Sequence, residues 1–555
     1  MTESSELVFL PLGGCQEIGM NLNAYGFGPA HKRRWIIVDM GVTFGNADTP
    51  GIDLITADPS FLEDERVEAI FFTHAHEDHI GAAGLLWSRF KAPMYATPFC
   101  AELVRHKLHE WDVDPGALST IAPGDIVQIG SFSVEYVPLT HSIPEMNALA
   151  ITTPLGLIFH TGDWKIDPAP MLGDDFSEAR IKELGETGVL AMVCDSTNVF
   201  EAGEAGSEAG VRSALKDLIA DLPGKVAVTT FASNVARVES IILAAEAAGR
   251  RVCLLGRSMH KVTSAAKQAG YLKGVQDFVR DDEAGFFPAE KILYLCTGSQ
   301  GEPRAALGRI ARGEHRHVTL GAGDTVVFSS RTIPGNESGI FEMQNALANA
   351  GVNLMTPDML EAPIHVSGHP CRDELARMYG WVRPEISVPV HGERRHILEH
   401  AKYAKSLQVK QVATPNNGDM VRLAPGPARL IDNVPSGRLH LEGTYLVPDG
   451  SAGLRERRKL AHQGCVSLAI ALNKKGQILD GPLCTARGFS EADGGEAHEV
   501  LDIIEDVAET ALKAMSPTAR GSDEQIEKRL QRAIKKTCEK AMRKKPLIDV
   551  LIMRV

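Results

Sequence analysis

Thr73-His74-Ala75-His76-Glu77-Asp78-His79 is the most informative stretch of this chain. It lies between the apolar run Ala69-Ile70-Phe71-Phe72 and a helical pattern that begins at Ile80. A short apolar run that ends in polar residues predicts a buried strand whose C-terminal end delivers these side chains. Alternate residues of an extended chain point the same way, so His74 and His76 can bind one ion together. Asp78 and His79, at the turn into the helix, can face a second ion.

Imidazole and carboxylate ligands of this kind suit Zn²⁺, and Mn²⁺ is favoured where carboxylates dominate. The alternative is a chance cluster of histidines in a solvated loop. Three histidines and an aspartate within six residues, at the end of a strand, favour the metal site. Glu77 stays open between a participant and a supporting or solvated residue.

The 555-residue chain is too long for a single hydrophobic core, which stops growing at roughly 250–300 residues, so two or three domains are expected. Hydrophobic residues make up 44% and charged residues 23%, as in soluble globular proteins. Nine single cysteines without a CxxC pair predict reduced thiols in a cytoplasm. The polar first six residues and the lack of long apolar runs predict neither a secretory signal nor a membrane span.

The chain changes character along its length. Residues 1–210 contain many short apolar runs, whereas 211–365 alternate strands with helices, which predicts a parallel α/β sheet. Short strands return in 366–445. We expect a linker at 446–460, rich in charge, and a small α/β unit at 461–555 that includes a basic amphipathic helix.

The net charge of −13 argues mildly against a nucleic-acid partner, because such proteins usually carry a basic surface. The argument is weak because metal-binding carboxylates raise the acidic count and bound divalent ions reverse the local sign.

The HxHxDH pattern after an apolar strand resembles the signature of the metallo-β-lactamase superfamily. The resemblance implies an αββα sandwich and predicts further site residues in chain order. Asp39 matches a supporting aspartate next to the ligands, His141 a further metal ligand, and Asp163 the aspartate that usually bridges two metals. Each of these alone would more often be a loop residue, but together and in this order they reinforce one another.

The α/β segment 211–365 resembles the β-CASP insertion of the nucleic-acid-processing members of this superfamily. Asp195, His365 and His391 match its three motifs. In that group, a histidine at the third motif completes the ligands of the second metal and goes with RNA substrates, whereas DNA-processing members usually have valine. His391 therefore indicates RNA.

The whole chain resembles the bacterial ribonuclease J family, notably in segments 12–21, 231–237, 297–303 and 329–337. The resemblance implies 5′→3′ exonuclease activity that favours 5′-monophosphate RNA, together with endonuclease activity, in RNA maturation and decay. It also implies two Zn²⁺, with Mn²⁺ or Mg²⁺ as activators. The C-terminal unit would serve oligomerisation as a homodimer or homotetramer, and RNA-decay proteins are possible partners. The negative net charge is a departure that bears on the strength of RNA binding.

Catalysis would need two metals ~3.5–4 Å apart to lower the pKa of water and to stabilise charge on the phosphate. His365 is the candidate acid for the leaving 3′-oxygen, and Asp195, which the family places nearby, would raise its pKa. The alternative for His365 is a structural role. The products would carry a 5′-phosphate and a 3′-hydroxyl.

Two segments predict a pocket for the 5′-phosphate of RNA, a fixed distance from the metals. One is a tight turn and the other precedes a helix N-terminus; they contain Ser367, Gly368 and His369, and Ala232, Ser233 and Asn234. Ser233 equally fits a plain N-cap. Arg257 would touch the RNA backbone or pair with a carboxylate.

Three other functions fit the sequence less well. A DNA nuclease is disfavoured by His391, and a small-ester hydrolase by the inserted domain. A catalytically idle RNA-binding scaffold need not keep a complete ligand set. The basic C-terminal helix fits a solvated face at least as well as an RNA contact.

Overall fold

The computed structural model describes residues 5–46, 48–173, 175–333, 335–489 and 496–555. Residues 1–4 of the polar N-terminal stretch and Pro334 of segment 329–337 lie outside the described residues. The chain forms two compact units, residues 1–43 with 56–438 and residues 44–55 with 439–555. Within the described ranges, no helix is both long and apolar enough to cross a membrane.

Two sheets pack face to face in the first unit. The first contains, in spatial order, Arg429–Asn433, Asp419–Ala424, Glu6–Gly13, Leu22–Gly28, Arg34–Val38, Arg66–Phe71, Met94–Ala96 and Leu118–Thr120. The second contains Ile126–Ile129, Phe132–Pro138, Asn147–Thr153, Gly156–His160, Ala191–Asp195, Ile386–Val390 and Gln411–Val412. Phe9, Tyr25 and Phe71 of one sheet and Tyr136 and Val193 of the other share one buried core.

Helices cover the outer faces of both sheets. Central strands are therefore buried on both sides, which explains why they are continuous apolar runs rather than alternating patterns. On the second sheet, Phe159 and Met192 share a core with Leu184, Leu375 and Met378 of the covering helices. The helices of this layer pair are Ser60–Glu63, Glu77–Ile80, Ala83–Phe90, Pro98–Glu110, Glu178–Thr187, Arg372–Val382 and Arg394–Ser406. The architecture is the αββα sandwich.

An α/β domain is inserted between two neighbouring strands of the second sheet, because Ala191–Asp195 and Ile386–Val390 pair in parallel. Its five parallel strands have the order Arg251–Leu255, Ile292–Cys296, Val226–Thr229, Thr325–Phe328 and Asn353–Met355. Its α-helices are Glu208–Asp221, Val235–Ala247, Arg257–Gln268, Ala306–Ala311 and Glu337–Asn349. This is the α/β domain expected from the sequence; its expected boundaries, 211 and 365, stay predictions.

The second unit contains a three-stranded sheet in the order Ile478–Arg487, Cys465–Leu472 and Leu547–Arg554. One face packs on the helices Glu496–Lys513 and Asp523–Met542. On the latter helix, Ile526, Leu530, Ile534 and Cys538 are buried. The basic residues, which are exposed, are Lys528, Arg529, Arg532, Lys535 and Lys536, so they form a solvated helix face.

The segment 446–460, expected as a linker, is instead largely folded. It contains most of the strand Tyr445–Pro448, which pairs with Arg438–Glu442, and most of the helix Ala452–Gln463. The charges that suggested a linker lie on a helix with one buried apolar residue, Leu454. Charge marked a solvated helix surface here, not an irregular chain.

Candidate metal centre and phosphate loop

The site residues lie at the C-terminal ends of strands from both sheets of the sandwich. His74 follows Arg66–Phe71, and Asp163 follows Gly156–His160. His391 follows Ile386–Val390, beside the strand that ends at Asp195. The strands that end at His160, Asp195 and Val390 run parallel, so residues distant in sequence meet at one edge.

The first ligand group consists of His74, His76, His141 and Asp163, whose ligand atoms all lie within 4.8 Å of one another. The Nδ1 atom of His76 is 3.1 Å from Nε2 of His74 and 3.1 Å from Nε2 of His141. Such close ring nitrogens on buried or half-buried histidines are the arrangement that a shared cation accommodates.

The second ligand group consists of Asp78, His79, Asp163 and His391, again within 4.8 Å. Asp163 Oδ2 is 3.2 Å from His79 Nε2 and 3.6 Å from His391 Nε2. His391 Nε2 is 3.2 Å from Asp78 Oδ2. Because Asp163 belongs to both groups, its carboxylate is placed to bridge two ions.

The ring nitrogens on the far side of the ligands are already engaged. His79 Nδ1 lies 2.7 Å from Asp39 Oδ2, and Asp39 also accepts bonds from the amide and hydroxyl of Thr73. His141 Nδ1 donates to the carbonyl of Gly368 at 2.5 Å. These contacts set the tautomers of His79 and His141 so that the Nε2 atoms of these two rings face the cluster.

One atom tests whether the residues fit a metal. Asp163 Oδ1 is buried and has no hydrogen-bond partner among the described residues. A buried carboxylate oxygen without a partner is costly, and a divalent cation would satisfy it. These two groups contain seven nitrogen and oxygen ligand residues, and a third, overlapping group consists of Asp163, Asp195, His369 and His391. The donor set fits divalent ions.

The histidines of the cluster have pKa values shifted in opposite directions. Burial lowers the pKa of His74 and of His141 well below the ordinary value, and neighbouring histidines add to this effect. Burial also opposes the charged form of His79, but Asp163, Asp78 and Asp39 outweigh it and raise its pKa well above the ordinary value. Metal binding must therefore displace protons from this site.

Asp195 is paired with His369 and not with His365, which corrects the expected acid pair. His369 Nδ1 lies 2.7 Å from Asp195 Oδ2. Burial opposes protonation of His369, but Asp195 outweighs it and raises the pKa. The His369 ring also lies 5.0 Å from the ring of His141 and 5.6 Å from that of His391. His369 is therefore at the metal centre.

His365 lies instead against the inserted domain. Its Nδ1 is 3.5 Å from a guanidinium nitrogen of Arg237, which also donates to the carbonyl of Ile364. Burial and the charge of Arg237 lower the pKa of His365 to about 3. A histidine that is neutral across the physiological range has no proton to give to a leaving group, so the structure disfavours His365 as the acid.

The turn 365–369 connects the metal centre to the expected phosphate pocket. A Cβ on Gly368 would lie 2.7 Å from His141 Cε1 and 2.9 Å from Ser142 Oγ, so only glycine allows this approach. Ser367 accepts bonds from the amide nitrogen of His369 and from Asn198. Ser367, Gly368 and His369 thus lie on one turn that touches a metal ligand directly.

Asn234, rather than Ser233, caps the helix Val235–Ala247, because its side chain accepts from the amide of Arg237. Its side-chain amide donates to Glu208 at 3.1 Å. The side chain of Asn234 is therefore engaged by the scaffold, and the expected role of this helix N-terminus in binding phosphate stays a prediction. Ala232 and Ser233 lie half-buried immediately before it.

Two residues of open role have clear positions. Glu77 accepts from Lys107 Nζ at 2.7 Å, so the acidic residue inside the metal-binding stretch forms an ion pair with the helix Pro98–Glu110. Arg257 is exposed at the first turn of the helix Arg257–Gln268.

Sequence reasoning assigned no role to several residues that hold the site. Asn21 contacts Asp78 and His79, and the carbonyl of Gly14 accepts from the amide of His391. Thr197 bonds Asp195 and His391. Their signal was present in segments 12–21 and 194–198, but nothing local distinguishes a supporting amide or hydroxyl from a turn residue.

A buried ion pair lies within the inserted domain, and its arginine also donates to the carbonyl of Ile364 before the turn 365–369. Glu208 binds Arg237 through two nitrogens at 2.7 and 2.9 Å, and both side chains are at most 4% exposed. Burial raises the pKa of Glu208, but Arg237 outweighs burial, and the net pKa is below the ordinary 4.5. Its stabilising effect is therefore present above pH 4.5 and is lost as pH falls through the lower, folded-state value.

The substitution Glu208→Gln is expected to destabilise the fold by about 3–5 kcal/mol at pH 7, because it leaves a buried guanidinium without its counter-charge. The deficit relative to wild type should shrink as pH falls below 4.5, and thermal melts across pH 7 to 4 measure it. Glu239→Gln is the control, since its pair with Arg212 is more exposed. Equal melting of Glu208→Gln and wild type at pH 7 would contradict this account.

Four known families match parts of the chain. Residues 34–181 match the beta-lactamase superfamily domain, and residues 362–415 match the Zn-dependent metallo-hydrolase RNA specificity domain. Residues 223–347 match the ribonuclease J beta-CASP domain, and residues 452–555 match the ribonuclease J C-terminal domain.

Whole-chain similarities agree with these matches. The chain is 46% identical to ribonuclease J of Sinorhizobium meliloti, over 100% of this chain and 98% of that protein. It is 37% identical to ribonuclease J of Mycolicibacterium smegmatis, over 98% of this chain and 96% of that protein. A solved structure from Enterococcus faecalis V583, a protein of unknown function, has a TM-score of 0.52 at 16% identity, over 75% of this chain and 100% of that chain. This last likeness concerns the fold alone.

Proposed function

Because the chain belongs to the ribonuclease J family and is a metal-dependent ribonuclease, we propose that it is a 5′→3′ exonuclease that favours 5′-monophosphate RNA. We include endonuclease activity and a role in RNA maturation and decay. One observation carries the proposal: the turn 365–369 contacts the metal ligand His141 through Gly368 and holds the hydroxyl of Ser367 nearby. A 5′-phosphate bound at this turn lies at a set distance from the metal centre.

The chain's own residues account for binding, orientation and proton transfer. When bound, divalent ions supply positive charge that lowers the pKa of an attacking water and stabilises charge on phosphorus. His369, held through Nδ1 by Asp195, presents Nε2 and donates a proton to the leaving 3′-oxygen. The products carry a 5′-phosphate and a 3′-hydroxyl.

The 5′-phosphate pocket consists of Ser233, His365, Ser367 and Gly368 in this proposal. Arg237 supports the pocket, because it contacts His365 and the carbonyl of Ile364. Ser329 also donates to that carbonyl at 2.6 Å. This buried support fixes the pocket relative to the ligands, so that exonuclease cleavage releases one nucleotide at a time.

The test compares matched RNAs that carry a 5′-monophosphate, a 5′-triphosphate or a 5′-hydroxyl. We expect conversion of the monophosphate RNA to mononucleotides, with kcat/KM about 10- to 100-fold above that for the hydroxyl RNA, since the pocket binds a charged group. A duplex DNA of the same sequence is the control for the DNA-nuclease alternative, which His391 disfavours. Cleavage of that DNA with the RNA left intact would overturn the proposal.

The same proposal covers the resident ion, the cellular setting, self-association and protein partners. We propose Zn²⁺ as the resident ion, with Mn²⁺ or Mg²⁺ as activators, because imidazole ligands are prominent among the donors. A cytoplasmic setting is supported by nine unpaired cysteines, eight of them buried. Self-association as a homodimer or homotetramer is supported by the open sheet face of the second unit, where Leu483, Leu551 and Met553 are exposed, and sedimentation velocity tests it. We propose RNA-decay proteins as further partners.

A further inference from the structure

Asn198 has a buried side chain that contacts the turn 365–369 at two points. Its Nδ2 atom donates to Ser367 Oγ at 2.8 Å and to the carbonyl of His369 at 3.0 Å. The side chain is 8% exposed, and it follows Asp195, Ser196 and Thr197 at the end of a strand. It belongs to neither ligand group.

The direction of these bonds follows from chemistry. A carbonyl oxygen only accepts, so the bond to His369 requires the nitrogen of the Asn198 amide, not its oxygen, to face the turn. The same NH₂ group has a second hydrogen, and that hydrogen is directed to Ser367. Ser367 Oγ must therefore accept from Asn198.

Ser367 Oγ accepts a second bond, from the amide nitrogen of His369 at 3.2 Å. A serine hydroxyl has two lone pairs and one proton. With both lone pairs engaged, the hydroxyl has only its proton left for a ligand. It is an obligate donor, which suits an oxygen that only accepts, such as that of an ionised phosphate.

The loop that carries Asn198 is itself held on the sandwich. Ser196 Oγ lies 2.9 Å from His400 Nδ1, and Thr197 donates to Asp195 at 2.7 Å. His400 also contacts Tyr379 at 2.9 Å. Because these contacts are buried or half-buried, Asn198 has little freedom to turn away from Ser367.

We propose that Asn198 is a positioning residue that makes Ser367 an obligate donor to the 5′-phosphate, and so sets the preference for monophosphorylated over hydroxyl ends. Asn198 acts through Ser367 without touching the RNA. This inference rests on the proposed 5′-phosphate pocket. It adds the residue and the bond pattern that determine specificity.

A double-mutant cycle tests the inference, with Asn198→Ala, Ser367→Ala and the double variant. The measured quantity is the ratio of kcat/KM for 5′-monophosphate RNA to that for 5′-hydroxyl RNA. We expect Ser367→Ala to lower this ratio about 10- to 100-fold and Asn198→Ala to lower it about 10-fold. In the Ser367→Ala background, Asn198→Ala should change the ratio by less than about 2-fold.

The cycle separates a positioning role from a merely structural one. A structural effect, for example through the carbonyl of His369, would lower the ratio by the same factor in both backgrounds and would overturn the inference. Glu201→Gln is the matched control on the same loop, where Glu201 pairs with exposed Arg331; its ratio should equal that of wild type. If Glu201→Gln lowered the ratio as much as Asn198→Ala does, that result would also count against the inference.

A second variant keeps the test decisive if Asn198→Ala folds poorly. Asn198→Asp keeps the volume but accepts the proton of Ser367, so the ratio should fall further than with alanine. General repulsion of the phosphate by the new carboxylate appears in both backgrounds and cancels in the cycle. Equal losses with and without Ser367 would refute the inference. If wild type itself shows no monophosphate preference, the proposed function fails, and the inference fails with it for that separate reason.

Discussion

Asp163→Ala is expected to lower RNA hydrolysis by more than about 10³-fold and to reduce bound divalent metal in the same protein. Asp163 is the residue shared by both ligand groups. Its Oδ2 lies close to His79 and His391, while its Oδ1 has no other partner among the described residues. Removing one carboxylate therefore affects both ions. Metal analysis by mass spectrometry, with cleavage assays on the same samples, measures the two losses together.

Glu77→Gln is the matched control for this substitution. Glu77 is acidic and adjacent to Asp78, but its carboxylate pairs with Lys107. We expect the metal content and activity of this variant to stay near wild type, with a small loss of stability at most. Full activity of Asp163→Ala after metal depletion would contradict the two-metal assignment, and loss of metal in Glu77→Gln would show that charge alone, not geometry, retains the ions.

His369→Ala is expected to slow cleavage of both 5′-monophosphate and internal sites by about 10²- to 10⁴-fold, the usual contribution of a general acid. The reason is geometric, since Asp195 holds this ring at 2.7 Å beside two metal ligands. The loss should fall on kcat more than on KM. Single-turnover rates with saturating enzyme measure the chemical step.

His365→Ala is the comparison that separates the two histidines. Its pKa of about 3 and its contact with Arg237 predict an effect on the 5′-monophosphate preference, with internal cleavage much less affected. If His365→Ala instead slowed both reactions as strongly as His369→Ala, the sequence-based assignment of His365 as the acid would be restored.

The metal ligands were predictable because their chemistry is local in part. His74, His76, Asp78 and His79 lie in one stretch at the end of a strand, where period-two alternation and a following helix already place their side chains. His141, Asp163 and His391 needed the order of known motifs, and the fold brings them to the same edge. The αββα sandwich, its insertion and the RNA-directed activity followed from the same residues.

The second motif shows where sequence reasoning stopped. Three residues separate His365 from His369, and both histidines lie in one short turn. Which of them meets Asp195 depends on the path of a turn pinned at one end by Arg237 and Ser329 and at the other by His141. No local pattern contains that information, because all three anchors are more than thirty residues away. The side-chain contact of Asn234 was hidden for a similar reason, since its partner Glu208 lies on another helix.

The sequence alone therefore indicated the ligand types through their residue chemistry and spacing, and the class of reaction through the family resemblance. Folding alone shows that Asp195 contacts His369 and not His365. It also shows that Asn198 donates to the hydroxyl oxygen of Ser367. The two kinds of information differ in the distance along the chain over which they act. Backbone pattern acts over a few residues, whereas the direction of a hydrogen bond in a buried site is set by partners that only folding brings within about 3 Å.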